Sequence, residues 1–164
     1  MVNDRIGKDI PNNTSFPYGE DKCMILEGFV TDGTAKAGQG VQLDTTDPEK
    51  LVQTGDGDSA FLGILVFNPR WVDSNDATIT FTGTPKAGQE ARVCIRGPCV
   101  ASINCTTDDF MGGMGLQCAG SGLLDEVAAA AHKVATLIDK RAKNSAGGAL
   151  HIVYVDGVLY NAES

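Results

Sequence analysis

The sequence predicts a mainly β chain: a small β-barrel or β-sandwich with at most one short helix and an extended N-terminal arm. Three observations carry this. Gly is abundant, at 20 of 164 residues, and Gly-containing clusters recur at short intervals, as they do between short strands. Several runs keep the two-residue period of a strand, with Ala91, Val93 and Ile95 alternating against Arg92, Cys94 and Arg96. Only residues 123–132 (LLDEVAAAAH) have a helix-forming composition, and they are too few to stand alone in water.

Residues 1–22 hold Pro11, Asn12, Asn13, Pro17 and Gly19 among scattered apolar side chains, too little apolar surface to form a compact unit. Ile6, Ile10, Phe16 and Tyr18 are nevertheless more anchors than a solvated tail needs. Two readings are open, a frayed terminus and an extended arm lying on a neighbouring subunit. Residues 23–164 then form one β-rich domain.

Residues 23–30 (CMILEGFV) read as the first strand, interrupted at Glu27-Gly28. Residues 37–43 (AGQGVQL) give a second strand after a Gly-marked turn, and 51–54 (LVQT) a short third. Gly55-Asp56-Gly57-Asp58 lacks the alternate ligands and closing Glu of a calcium loop, and reads as a turn. The apolar run 61–67 (FLGILVF) suits a buried strand, and 68–76, with Pro69 and Trp71, a surface loop. Residues 77–82 (ATITFT) alternate as a strand does. Residues 86–103 (KAGQEARVCIRGPCVASI) read as strand, tight turn at Gly97-Pro98, strand, because Pro98 has no amide to give to a ladder. Residues 104–113 are a loop and 115–118 a brief strand. Residues 123–132 are either a helix or strand residues with an Ala-rich insertion. Residues 133–139 (KVATLID) alternate, and 150–160 (LHIVYVDGVLY) close the chain as a hairpin about Asp156-Gly157.

The net charge of −8 argues against non-specific nucleic-acid binding, which needs a surplus of Lys and Arg. No apolar run approaches a membrane span, and residues 1–10 carry charges where a signal peptide has an apolar stretch. The expected setting is a cytoplasm. The five cysteines, Cys23, Cys94, Cys99, Cys105 and Cys118, are an odd count for a disulfide framework in that compartment. Their spacing gives one loose candidate pair where a structural zinc site needs two close ones. Buried free thiols are the ordinary reading, with no metal and no cofactor.

His132 with Asp125 could be drawn as a base and its orienter, but no activated Ser or Cys is placed beside them. His151 reads as a surface or cross-strand residue. Nucleophile-elbow, phosphate-loop and zinc-protease motifs do not occur in the sequence. The expectation is no enzyme and no catalytic residues.

The chain also repeats itself weakly. Residues 38–43 (GQGVQL) line up with 113–118 (GMGLQC), 62–66 (LGILV) with 134–138 (VATLI), and 93–97 (VCIRG) with 153–157 (VYVDG). The order is kept across the three blocks, which fits a duplicated β unit closing into a barrel or sandwich.

The succession KAGQGVQL, LVQT, FLGILV, KAGQEARVCIRGPCVASI, GGMGLQC, KVATLID and ALHIVYVDG resembles the capsid decoration (cement) proteins of tailed viruses, of phage or archaeal virus type, a group first described as a domain of unknown function. The likeness runs over about residues 24–157, on short Gly-dependent motifs. The Ala-rich 123–132, the many cysteines and the long N-terminal segment depart from the pattern. The resemblance implies a barrel or tulip-like domain on the outer surface of a virion, often trimeric, that reinforces joints between major capsid protein subunits without catalysis. The partner-binding residues expected on this reading are Ile6, Ile10, Phe16 and Tyr18 of the arm, with Arg70 and Trp71. An exposed Trp beside Arg is a usual interface anchor, although a Trp capping its own barrel fits equally. The rival reading is a small-molecule or carbohydrate-binding β-barrel, with Trp71 and Tyr18 at its mouth.

Overall fold

The computed structural model describes residues 15–56, 60–105, 110–127, 133–139, 141–142 and 145–156. The chain is mainly β, with strands β1 (Met24–Thr31), β2 (Gly40–Leu43), β3 (Lys50–Gln53), β4 (Gly63–Leu65), β5 (Glu90–Cys105), β6 (Phe110–Met111), β7 (Gly115–Cys118), β8 (Leu124–Glu126), β9 (Ala135–Leu137), β10 (Arg141–Ala142) and β11 (Ser145–Val155). A 3-10 turn, Glu20–Lys22, precedes β1.

Nine strands form one sheet in the order β1-β3-β2-β4-β5-β11-β9-β7-β8, and further pairings join β1 to β5 and β5 to β8. The sheet therefore closes twice, into two five-stranded rings that share β5. The first half of β5 belongs to the first ring, against β1 and β4. Its second half belongs to the second ring, against β11 and β8.

The rings match strand for strand. β1 runs parallel to β3, as β5 runs parallel to β8. The antiparallel pairs β2–β3, β2–β4 and β4–β5 have counterparts in β7–β8, β7–β9 and β9–β11. Register agrees in detail: Gly40 faces Ile64 as Gly115 faces Thr136, and Leu65 faces Val93 as Leu137 faces Val153.

Two apolar clusters follow from this arrangement. Val41, Leu51, Leu65, Val93 and Ile95 fill the first ring, with Phe67, Trp71 and Phe81 added by the loop between β4 and β5. Ile103, Leu116, Leu124, Leu137, Val153 and Val155 fill the second, and Ile64, Val66 and Cys94 join them from the outer face of the first. Burying each such aliphatic side chain contributes about 1.5–3 kcal/mol, so the rings are packed cores and not open bores.

Several expectations are corrected. Gly97-Pro98 does not end a strand, because β5 runs unbroken from Glu90 to Cys105. Gly97 takes φ +114°, and a Cβ there would lie 2.6 Å from the Lys22 carbonyl oxygen, so only Gly lets β5 pass this close to the chain before β1. Val100 and Ser102 donate away from β11, to the carbonyls of Ser15 and Gly38. By the same alternation, the donor Pro98 lacks would face that side, where the β5–β11 ladder needs none. Residues 77–82 form no strand. Ile79 and Phe81 pack inward while Thr80 and Thr82 stay exposed, and Thr78 makes only an isolated bridge to Val72. In the segment read as helix or strand, Leu124–Glu126 is strand, and 128–132, with His132, lie outside the described residues. So do Gly57, Asp58 and the last strand of the expected closing hairpin.

Candidate functional site

The loop between β4 and β5 was expected to present Trp71. Pro69 and Arg70 are exposed there, and the Arg70 amide donates to Asn68 Oδ1 at 2.9 Å. Trp71 instead turns inward and is 1% exposed. Its indole N–H donates to the Glu90 carbonyl at 2.8 Å, and its ring meets Phe67 edge-on, with centroids 6.0 Å apart. The expected exposed anchor is thus corrected to the other possibility, a Trp that caps its own ring. An indole reaches this depth because its one polar group finds an acceptor. Side chains pin the rest of the loop. Gln89 accepts from the Val72 amide and donates to the Val72 and Lys86 carbonyls, and Asp73 accepts from the amides of Asn75 and Ala77. At this loop, Arg70 is the expected anchor that faces solvent.

Gly33, Asp73, Ser74, Ile79, Gly83, Thr84, Pro85 and Lys86 line an open cleft of about 350 Å³. Neither Trp71, which is buried, nor Tyr18 lines this cleft.

Of the arm, residues 15–22 lie on their own body. The Ser15 carbonyl accepts from the Val100 amide at 3.0 Å and its Oγ from the Phe67 amide at 2.8 Å. Phe16 packs against the second cluster, and Glu20 pairs with Arg92 at 2.7 Å. Tyr18 is exposed. Ile6 and Ile10 lie outside the described residues.

Three thiols meet where β1 begins beside the middle of β5. Cys99 and Cys23 both lie within hydrogen-bonding reach of Cys94; the Cys94 thiol donates to the Arg96 carbonyl at 3.5 Å and the Cys23 thiol to the Pro98 carbonyl at 3.2 Å. Hydrogen bonding from Cys99, then from Cys23, holds the Cys94 thiol below its usual range despite burial. The bond it gives to Cys94, together with burial, pushes Cys99 up. Burial and the neighbouring Cys94 push Cys23 up to about 12. The half-buried thiol is therefore held protonated, and the thiol most inclined to ionise is shut away, the reverse of a reactive cysteine. Among the described residues, no cluster of three or more His, Cys, Asp or Glu could hold a metal ion.

A buried polar pair was missed by the sequence reading. His151, read as a surface or cross-strand residue, is the latter: it faces Ala101 across the β5–β11 pair and is buried, and its Nδ1 lies 3.0 Å from Oδ2 of the fully buried Asp139. The same oxygen accepts from the Ile152 amide at 2.9 Å. Asp139 Oδ1 has no hydrogen-bond partner among the described residues. The pair ties the end of β9 to β11, a structural task. Nothing in the spacing of Asp139 and His151 signals it, since the two meet only through strand pairing.

No family model matches the chain, and no curated protein matches it. Among solved structures, the N base of head fiber gp8.5 in bacteriophage phi29 is similar with a TM-score of 0.48 at 11% identity, over 81% of this chain and 95% of that one. The capsid of Myoviridae phage XM1 gives a TM-score of 0.49 at 13% identity, over 88% of this chain and 92% of that one. At these identities the likeness is one of chain path.

Proposed function

We propose that this chain is a non-enzymatic structural protein of a virion, decorating and stabilising the outer surface of the capsid by bridging major capsid protein subunits. It assembles in the host cytoplasm and acts on the lattice as a homo-trimer or other homo-oligomer, without nucleic acid, membrane or cofactor. The observation that carries this reading is the placement of the sequence blocks that resemble cement proteins. They fall in order on β2, β3, β4, β5, β7, β9 and β11, seven of the nine strands that build the two rings. Tyr18 and Met24 are exposed on either side of the turn that leads into β1, apolar surface that a partner can cover. Shell stabilisation then follows by mass action, since a protein that binds only the assembled lattice favours it.

The test is co-sedimentation of the full chain with expanded tailed-virus shells that lack their decoration. Saturable pelleting supports the reading, and Arg70→Ala should weaken it if the loop beside Trp71 faces the shell. A chain that stays in the supernatant with every shell tried, while binding a small molecule or sugar in the cleft beside Lys86, would favour the ligand-binding barrel.

A further inference from the structure

Four of the large apolar side chains on the surface occupy related places. Leu26, Leu43, Ile138 and Tyr154 are 37%, 40%, 37% and 38% exposed. Each has a counterpart in the other ring, fixed by strand pairing. Leu26 faces Val93 as Cys99 faces Val153. Leu43 faces Leu51 as Cys118 faces Leu124. Tyr154 faces Thr136 as Cys94 faces Ile64. Ile138 follows β9 directly, as Val66 follows β4.

The counterparts Cys99, Cys118, Cys94 and Val66 are 1%, 1%, 0% and 2% exposed, and all four lie in one cluster. Val66 and Cys94 enter it from the outer face of the first ring, and Cys99 and Cys118 from the second ring, so that cluster includes the junction between rings. Hydrogen bonds close the junction alongside it: the Gly40 amide donates to the Gly122 carbonyl at 2.7 Å and the Gly122 amide to the Thr54 carbonyl at 3.2 Å. The second ring's outer face thus carries Ile138 and Tyr154 where the first carries Val66 and Cys94. The first ring carries Leu26 and Leu43 where the second carries Cys99 and Cys118. Both halves of the internal junction recur as exposed apolar positions at opposite ends of the chain.

We propose that the two rings are copies of one unit, and that a second copy of this chain docks its Leu26–Leu43 face on the Ile138–Tyr154 face of the first, repeating the internal junction between molecules. A second copy is the occupant because the surface that already covers Val66 and Cys94 within the chain has its counterpart in Leu26 and Leu43. Larger residues stand where the internal junction has small ones, and Tyr is a frequent anchor of interfaces. The contact is heterologous, so copies close into a ring or run on as a filament. This deepens the oligomeric part of the proposed function, and it rests on strand register and on the burial of the counterpart positions.

Sedimentation velocity of the full chain, over a wide concentration range, tests it with two double variants. Leu26→Glu with Leu43→Glu spoils one face, and Ile138→Glu with Tyr154→Glu spoils the other. All four positions are exposed, so both variants should keep the circular dichroism of the parent. The parent should associate with rising concentration, and each variant alone should stay monomeric. Mixed in equal amounts, they should give a species of two copies and nothing larger, because one intact face of each kind remains. A parent monomeric throughout, a variant that associates like the parent, or a mixture that stays monomeric would each overturn the proposal. Shell pelleting of the same proteins is read separately, so loss of self-association with shell binding retained would leave the capsid role standing.

Discussion

Cys94 and Cys99 stand five positions apart on one strand, yet their thiols come within hydrogen-bonding reach of each other. Five extended residues would span roughly 16 Å, so β5 must bend sharply between them. The bend falls at Gly97, the residue with φ +114°, and it lets one strand leave the first ring and enter the second. The chain approaching β1 passes so close that Lys22 and Cys23 occupy the space a side chain at 97 would need.

Gly97→Ala should therefore be costly. The substitution combines a strained backbone with a clash against main-chain atoms, together about 2–4 kcal/mol. Gly88 also has positive φ, +85°, but nothing lies within 4 Å of its would-be Cβ. Gly88→Ala should cost only about 1 kcal/mol. Urea midpoints of the two variants check the contrast, and equal losses would place the bend elsewhere.

The three-thiol cluster should resist alkylation. At pH 8 the native chain should take up iodoacetamide at Cys23, Cys94 and Cys99 at least about tenfold more slowly than the unfolded chain, as mass spectrometry can follow. Cys23 also sets a direction with pH. Folded, it keeps its proton up to about 12, while the unfolded thiol gives it up near about 8.5. The folded state then holds the extra proton, so Cys23 makes stability fall as pH rises through that window. Cys23→Ser should remove that part of the fall.

Trp71 is held by ring contacts inside the first ring and one hydrogen bond to Glu90. Trp71→Ala should cost about 3–5 kcal/mol. Trp71→Phe should cost less, as it keeps much of the packing but leaves the Glu90 carbonyl short of a donor. Because it is the sole Trp, its fluorescence reports directly. Acrylamide should quench it weakly in the native chain and strongly in urea.

Asp139→Ala should destabilise the second ring. It strips a buried partner from His151 and an acceptor from the Ile152 amide. Leaving a buried hydrogen-bonding group without its partner costs about 1–3 kcal/mol. A loss under 1 kcal/mol in thermal or urea unfolding would show that the pair contributes little.

Much of this was readable in the sequence because the strands announce themselves locally. The Gly before Val41 and before Leu116 and the apolar alternation at Val93 and Val153 all fall on strands. So does the interruption at Glu27-Gly28, where the β1–β5 register shifts between Leu26 and Phe29. What could not be read depends on distant partners. Pro98 reads as a strand breaker until the edge it faces is known. Residues 77–82 alternate because Ile79 and Phe81 insert into the first ring, and that inward pull has the period of a ladder without being one. Trp71 looks exposed beside Pro69 and Arg70, and only the Glu90 carbonyl, nineteen residues on, makes its burial cheap. The candidate surface was least legible of all, since Leu26 and Tyr154 stand out only by comparison with the buried residues at their counterpart positions.

The most direct measurement is a difference map between decorated and bare shells by electron cryomicroscopy. The account predicts added density on the outer surface, large enough for this chain, spanning the joints between adjacent capsid subunits. Density confined to the inside of the shell, seated on single subunits without crossing a joint, or missing altogether would contradict it.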